Sequence, residues 1–271
     1  MSWLNILAAG AIGIAAMRAA FLRGDVDEAA RKGALSGPVV VEQALRTGDR
    51  PTQLAAIAAA SIVEDRAELL AALAGVAAGA DRRLAIPAAR AARAIARELA
   101  SSSPPDDIAP DDIATWRRLW GQLAMRNDRW IELRMISLDI AAALDPGGIA
   151  IDLAAALQDP DPSFRSAVVA IVPLPVPRAL VGPLAGAVIH DPEGEVALGA
   201  AQTLCLSLDE AAPRPILDAL GPEGLARIRA LARASRVPRA PEVTDAARCL
   251  AADGSPDSAA ALRSLGGPRR R

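Results

Sequence analysis

Asp159-Pro160-Asp161-Pro162-Ser163-Phe164-Arg165-Ser166-Ala167-Val168-Val169-Ala170 is the stretch that decides the fold, because a close copy follows 32 residues later as Asp191-Pro192-Glu193-Gly194-Glu195-Val196-Ala197-Leu198-Gly199-Ala200-Ala201. Each copy has an Asp-Pro turn, an acidic start, and then a run rich in Ala and Val. A fixed period of this length is the signature of a stacked array of helix pairs, in which each pair leaves an apolar face for its neighbour to cover.

The same turn acid recurs outward from this stretch. Asp49-Arg50, Asp81-Arg82 and Asp128-Arg129 each precede a helix-forming run, with Asp49 and Asp81 spaced by 32 residues and Asp128 and Asp161 by 33. The spacing predicts helix pairs at 37–47 with 51–63, 66–79 with 82–99, 111–126 with 129–144, 147–158 with 162–172, and 177–190 with 193–208. A less regular pair follows at 212–235 and 241–253. The long step from Asp81 to Asp128 is assigned to a loop insertion at 100–112, where Ser101-Ser102-Ser103-Pro104-Pro105-Asp106-Asp107 favours turns over helix. Acids ahead of the helices suit N-caps, since a carboxylate accepts the unpaired first-turn N–H groups. Pro51 and Pro162 fit first turns, and Pro173, Pro175 and Pro177 mark a loop.

Composition agrees. Ala supplies about a quarter of the 271 residues, there is no Tyr, and only two Phe occur, which favours helix over sheet. The expected fold is all-α, an α-solenoid of about six antiparallel helix pairs that is irregular at both ends. It spans 25–255, preceded by an apolar helix at 1–24 and followed at 256–271 by a helix remnant and basic tail. Residues 3–17 are almost wholly apolar, but the run is short for a membrane span and has no positive charge in front of it. It is expected to cap or dock on the first repeat, with weak membrane anchoring through residues 1–22 as the alternative. The cytoplasm is the expected location.

At Asp159-Pro160-Asp161-Pro162-Ser163-Phe164-Arg165 the chain resembles the HEAT-repeat family, including bacterial repeats similar to bilin-lyase HEAT proteins. The family pattern sets an Asp-Pro turn between two antiparallel helices and an Arg about six residues on. Asp159 with Arg165 matches it, and Asp128 with Arg134 keeps the spacing without the proline. Ala55, Pro87 and Ala197 stand where the Arg is expected after Asp49, Asp81 and Asp191, so a continuous Asp–Arg ladder is expected to be broken. The resemblance covers roughly residues 35 to 210 and implies architecture more than chemistry.

Candidate chemistry is sparse. His190 is the only histidine, at a predicted helix end, and no Walker loop, dinucleotide turn, HExxH or CxxC occurs. Asp106, Asp107, Asp111 and Asp112 lack calcium-loop spacing and read as a solvated linker and helix start. Cys205 and Cys249 are read as small core residues, too few and too far apart for a disulfide framework or metal site. No catalytic residue, metal or cofactor is expected. Formal net charge is −2 and only Lys32 among 30 basic residues is a lysine, so no overall positive field draws in nucleic acid.

Two features remain as candidate partner-binding residues. The first is Trp116, Arg117, Arg118 and Trp120 with Trp130 and Arg134, the residue types enriched at binding hot spots. The helical spacing of Ile113, Trp116, Trp120 and Leu123 also fits simple core packing, which leaves Trp130 as the better candidate for exposure. The second is Arg90, Arg93 and Arg97, an i, i+3, i+7 stripe suited to acidic peptides or phosphates, or to a plain solvated face. The leading expectation is a non-enzymatic scaffold or adaptor that binds a protein. A nucleic-acid-binding HEAT-like protein related to DNA repair, and a bilin-lyase-like protein suggested by the resemblance alone, are the alternatives.

Overall fold

Aspartate and proline set where many of the helices begin. In a computed structural model, which describes residues 3–101, 108–145, 148–208, 213–234 and 241–266, Asp25 accepts a hydrogen bond from the Glu28 N–H at 2.9 Å and Asp49 from the Thr52 N–H at 3.1 Å. Asp161 accepts from the Ser163 N–H at 2.9 Å. Pro38, Pro51, Pro110 and Pro162 occupy first turns, where a missing N–H leaves nothing unsatisfied. Asp128 departs from this pattern: the helix after it starts at Ile131 with no side-chain cap, and the Asp128 carboxylate accepts from Arg126 at 2.7 and 3.0 Å. A guanidinium two residues away outcompetes the helix end for that carboxylate.

The described residues hold 15 α-helices and no strand, and 80% of them are helical. It divides into two compact units, residues 1–145 and 146–271. The first contains α1 (Trp3–Leu22), α2 (Val26–Ser36), α3 (Pro38–Thr47), α4 (Arg50–Ala60), α5 (Leu69–Ala77), α6 (Arg82–Ser101), α7 (Pro110–Ala124) and α8 (Ile131–Leu144). Even-numbered helices pack in sequence, α2 on α4, α4 on α6 and α6 on α8; α3, α5 and α7 make a second layer, with α1 against α3 at its end. Each helix also packs on its pair partner, which is the two-layer stacking of a solenoid.

The second unit repeats the plan with α9 (Ala150–Ala156), α10 (Pro162–Ala170), α11 (Arg178–His190), α12 (Gly194–Leu206), α13 (Arg214–Ala234), α14 (Pro241–Asp253) and α15 (Pro256–Gly266). One layer is α9, α11, α13 and α15; the other is α10, α12 and α14. The stretch 171–177 with its three prolines is non-helical and contains a cis Leu174–Pro175 bond. α13 is two helices joined at Gly221, whose φ of 59° and ψ of −175° suit glycine alone, with Pro222 following.

The described residues hold four pairs in the first unit and three pairs with a final single helix in the second, against about six pairs expected from the sequence. The added pair is α1 and α2. α1 packs on α2 and α4, with Met17 and Ala20 fully buried, and Arg18 reaches the Asp49 carboxylate at 2.7 Å. Among the described residues, no helix is long and apolar enough to cross a membrane. The expected insertion at 100–112 falls largely on residues 102–107, outside the described residues, as do residues 267–271 of the expected basic tail.

Small side chains let the layers close up. Ala55, Ala56, Ala59 and Ala60 of α4 and Ala85, Ala88, Ala89, Ala92 and Ala96 of α6 are essentially inaccessible. At the tightest crossing, a Cβ on Gly33 of α2 would collide with the Ala59 Cβ and lie 2.7 Å from the Met17 sulfur. Ala59 has no rotamer with which to move aside, so Gly33→Leu is expected to push α2 off α4 and cost about 2–3 kcal/mol. A urea unfolding midpoint equal to wild type would reject this packing.

Candidate functional site

The Arg stripe faces carboxylates. Arg90, Arg93 and Arg97 project from α6 toward α8, whose residues Glu132 and Asp139 lie i, i+7 on the facing side. Arg90 meets Glu132 at 2.7 Å, Arg82 meets it at 3.3 Å, and Asp139 takes Arg97 at 2.8 Å and Arg93 at 3.9 Å. Hydrogen bonding from Arg90, helped by Arg82, outweighs partial burial and holds the Glu132 carboxyl below its ordinary range. Four guanidinium groups thus meet two carboxylates, which leaves local positive charge on a chain whose formal net charge is −2. The arginines are largely exposed, so each pair is worth at most about 1 kcal/mol and fixes geometry more than stability.

Met135 sits between the two carboxylates along α8, one turn after Glu132 and one before Asp139, and is 39% exposed. It is one of eight large apolar side chains that the described residues leave exposed. A flexible thioether is thus left exposed on a surface that is otherwise charged. The sequence reading missed Met135, Glu132 and Asp139. The signal was present as an i, i+3, i+7 stripe on 129–144, but nothing local shows that this stripe turns toward α6.

The Trp/Arg cluster is distributed differently. Trp116 and Trp120 of α7 are buried, Trp120 completely, and the Trp120 indole nitrogen has no acceptor among the described residues. Arg134 is buried, and its Nε donates to the Ala124 carbonyl at 2.9 Å, at the C-terminal end of α7. Arg129 does the same for α5, donating to the Ala78 carbonyl at 2.7 Å and to Gly79 at 3.1 Å. These arginines complete helix C-termini, where unpaired carbonyls and the dipole favour a cation. Arg117 pairs with Asp145 at 3.8 Å, Trp130 is half-buried, and Arg118 is exposed on α7. The tryptophans and the Arg90–Arg97 stripe therefore do not form one exposed patch; α7 belongs to one layer, α6 and α8 to the other.

Asp–Arg pairs link some of the turns without forming a continuous ladder, and their arginines are not all where the repeat pattern sets them. Asp49 receives Arg18, Asp81 receives Arg50 at 3.1 Å, and Asp191 receives Arg165 at 2.7 and 2.9 Å. Ala55 and Pro87 remove the expected donors, and arginines one period upstream supply the charge. Hydrogen bonds from Arg18 and Thr52 hold the Asp49 carboxyl far below its ordinary range.

Other polar clusters were candidates for chemistry. A groove of about 510 Å³ in the second unit is lined by Asp218, Arg229, Asp253 and Asp257 beside Leu217 and Leu225. One of its carboxylates, Asp253, is already engaged by the Ser255 and Ser258 hydroxyls, which hold it below its ordinary range. Among the described residues, no three His, Cys, Asp or Glu side chains are grouped to hold a metal ion. Asp111 and Asp112 open α7, whereas Asp106 and Asp107 lie outside the described residues.

No known protein-family model matches the chain, and no curated protein sequence is significantly similar to it.

Proposed function

We propose that this chain is a non-enzymatic, HEAT-like adaptor that holds an acidic segment of a partner protein on the face made by α6 and α8. The observation that carries the reading is Met135, exposed on α8 between Glu132 and Asp139, the two carboxylates that receive Arg82, Arg90, Arg93 and Arg97. The two carboxylates hold the guanidinium groups in place before a partner arrives, which lowers the entropy lost on binding. They do not use up the positive charge. Partner carboxylates bind the unsatisfied guanidinium edges, since Arg pairs with carboxylate in a two-pronged geometry. An apolar partner side chain covers Met135.

A photo-crosslinking residue at position 135 tests this, with the same residue at exposed position 226 as control. In the cells of origin, the expected result is a discrete protein adduct from 135 alone, lost in the Arg90→Glu/Arg97→Glu background and weakened by added salt. Adducts of equal pattern from both positions, or none from 135, would remove the proposal. The nucleic-acid alternative looked to Trp116 and Trp120, and both are buried. Nuclease-sensitive adducts at 135 would favour it instead.

A further inference from the structure

Cys205 and Cys249 are joined by a disulfide, with an S–S distance of 2.08 Å and Cα atoms 5.3 Å apart. Both residues lie in the core, as expected, but they are bonded to each other, which overturns the reading that they are too far apart for a disulfide. The bond ties α12 to α14 and closes a stretch 44 residues long that contains α13, broken at Gly221–Pro222. It crosses the part of the repeat in which α13 is broken at Gly221. Both sulfur-bearing residues are fully inaccessible, beside Val243, Ala246 and Leu250 of α14 and Ala201 and Leu204 of α12.

We infer from this burial that the chain folds in an oxidising compartment, against the cytoplasmic location expected from sequence. Forming the bond takes two protons and two electrons from the pair of thiols. A disulfide oxidant accepts them: one cysteine thiolate attacks the oxidant's S–S bond and expels a thiolate, giving a mixed disulfide. The second cysteine thiolate then attacks the protein sulfur of that mixed disulfide and expels the other thiolate. The products are the Cys205–Cys249 bond and two reduced thiols of the oxidant. Each displacement needs an attacking sulfur in line with the bond being broken, and the packed α12–α14 contact leaves no room for an outside reagent. The exchange therefore happens before this end of the chain closes. A reducing compartment keeps thiols reduced during that interval, and closure would then trap two thiols. With no third cysteine in the sequence, no other thiol of this chain competes for the bond.

The test traps the redox state in the cells of origin by acid quenching, then tags thiols of the denatured full-length chain with a mass-labelled maleimide. The expected result is no tag without prior reduction and two tags after it, on a monomeric chain. Two tags without reduction would overturn the inference, and so would a single tag or a disulfide-linked dimer. Purified oxidised protein gives an independent measure. Native burial should make reduction by dithiothreitol at least about tenfold slower in buffer than in denaturant, because the bond must first be exposed by local opening. Equal rates would show that the bond is open to reagents after folding and would remove the argument for its formation beforehand.

Discussion

Replacing Arg165 with Ala is expected to cost about 3–5 kcal/mol, the range for leaving one partner of a buried ion pair unpaired. The geometry explains the size. Arg165 of α10 is buried and gives Asp191 two hydrogen bonds, from Nε at 2.7 Å and Nη2 at 2.9 Å. Its remaining nitrogen donates to the carbonyls of Asp159 at 2.7 Å and Pro160 at 3.3 Å. One side chain thus completes its own Asp-Pro turn and holds the next turn of the array. Removing it leaves a buried carboxylate supported mainly by the Glu193 N–H at 2.9 Å. Arg165→Met with Asp191→Leu should recover part of the loss, because no charge is then buried alone; the two turn carbonyls still lose their donor. Chemical denaturation of the single and double variants decides it, and a single variant within 1 kcal/mol of wild type would contradict the role given to this pair.

The same pair gives stability a direction with pH. Burial alone would raise the Asp191 carboxyl, but the Arg165 guanidinium and the Glu193 N–H outweigh it and hold the group below its ordinary value of 3.8. A carboxyl depressed by folding contributes its full stabilisation above the unfolded value, and loses it as pH falls through the folded one. Stability should therefore be flat near neutrality on this account and fall below about pH 4. Asp191→Asn should be less stable at pH 7 and show a shallower decline in Tm toward pH 3.

Losing the Cys205–Cys249 bond is the second large expected effect. Closing a loop of 44 residues removes unfolded-chain entropy worth about 4 kcal/mol in the loop-closure model. Cys205→Ala/Cys249→Ala should lower stability by roughly that amount, with a small added loss from the two missing sulfurs in a packed layer. Hydrogen exchange should localise the change: amides of α13 and α14 should lose protection first, since the closed stretch spans α13 and ends in α14. Equal denaturation curves for oxidised wild type and the double variant would show that the bond constrains little.

The disulfide was hidden in the sequence because 44 residues is not the period. Residues one period apart in the same layer become neighbours, and the 32-residue spacing of Asp159 and Asp191 sets that period. α13 is 21 residues long, against 13 for α11, its predecessor in the same layer, and a further undescribed stretch follows it. Allowing for that extra length, Cys249 falls one repeat after Cys205. Similarly, the first pair escaped the turn pattern because α2 is capped by Asp25 after a glycine, without an Asp-Pro signal, and follows a helix that is almost wholly apolar.

Features legible in the chain alone are local. Caps at Asp49 and Asp161, first-turn prolines, the proline loop at 173–177 and the helical bias of an alanine-rich chain involve residues only a few positions apart, so their spacing carries the information. The all-α class and its stacked pairs followed from those terms. Which side chains remain available depends on how the helices pack. Helix rotation aims Arg90, Arg93 and Arg97 at Glu132 and Asp139, buries Trp116 and Trp120, leaves Met135 outside, and joins Cys205 to Cys249. A side chain's partner across a helix pair depends on the rotation and approach of two whole helices. Those are set by the sum of many small packing contacts, such as Gly33 against Ala59, and no short motif records that sum.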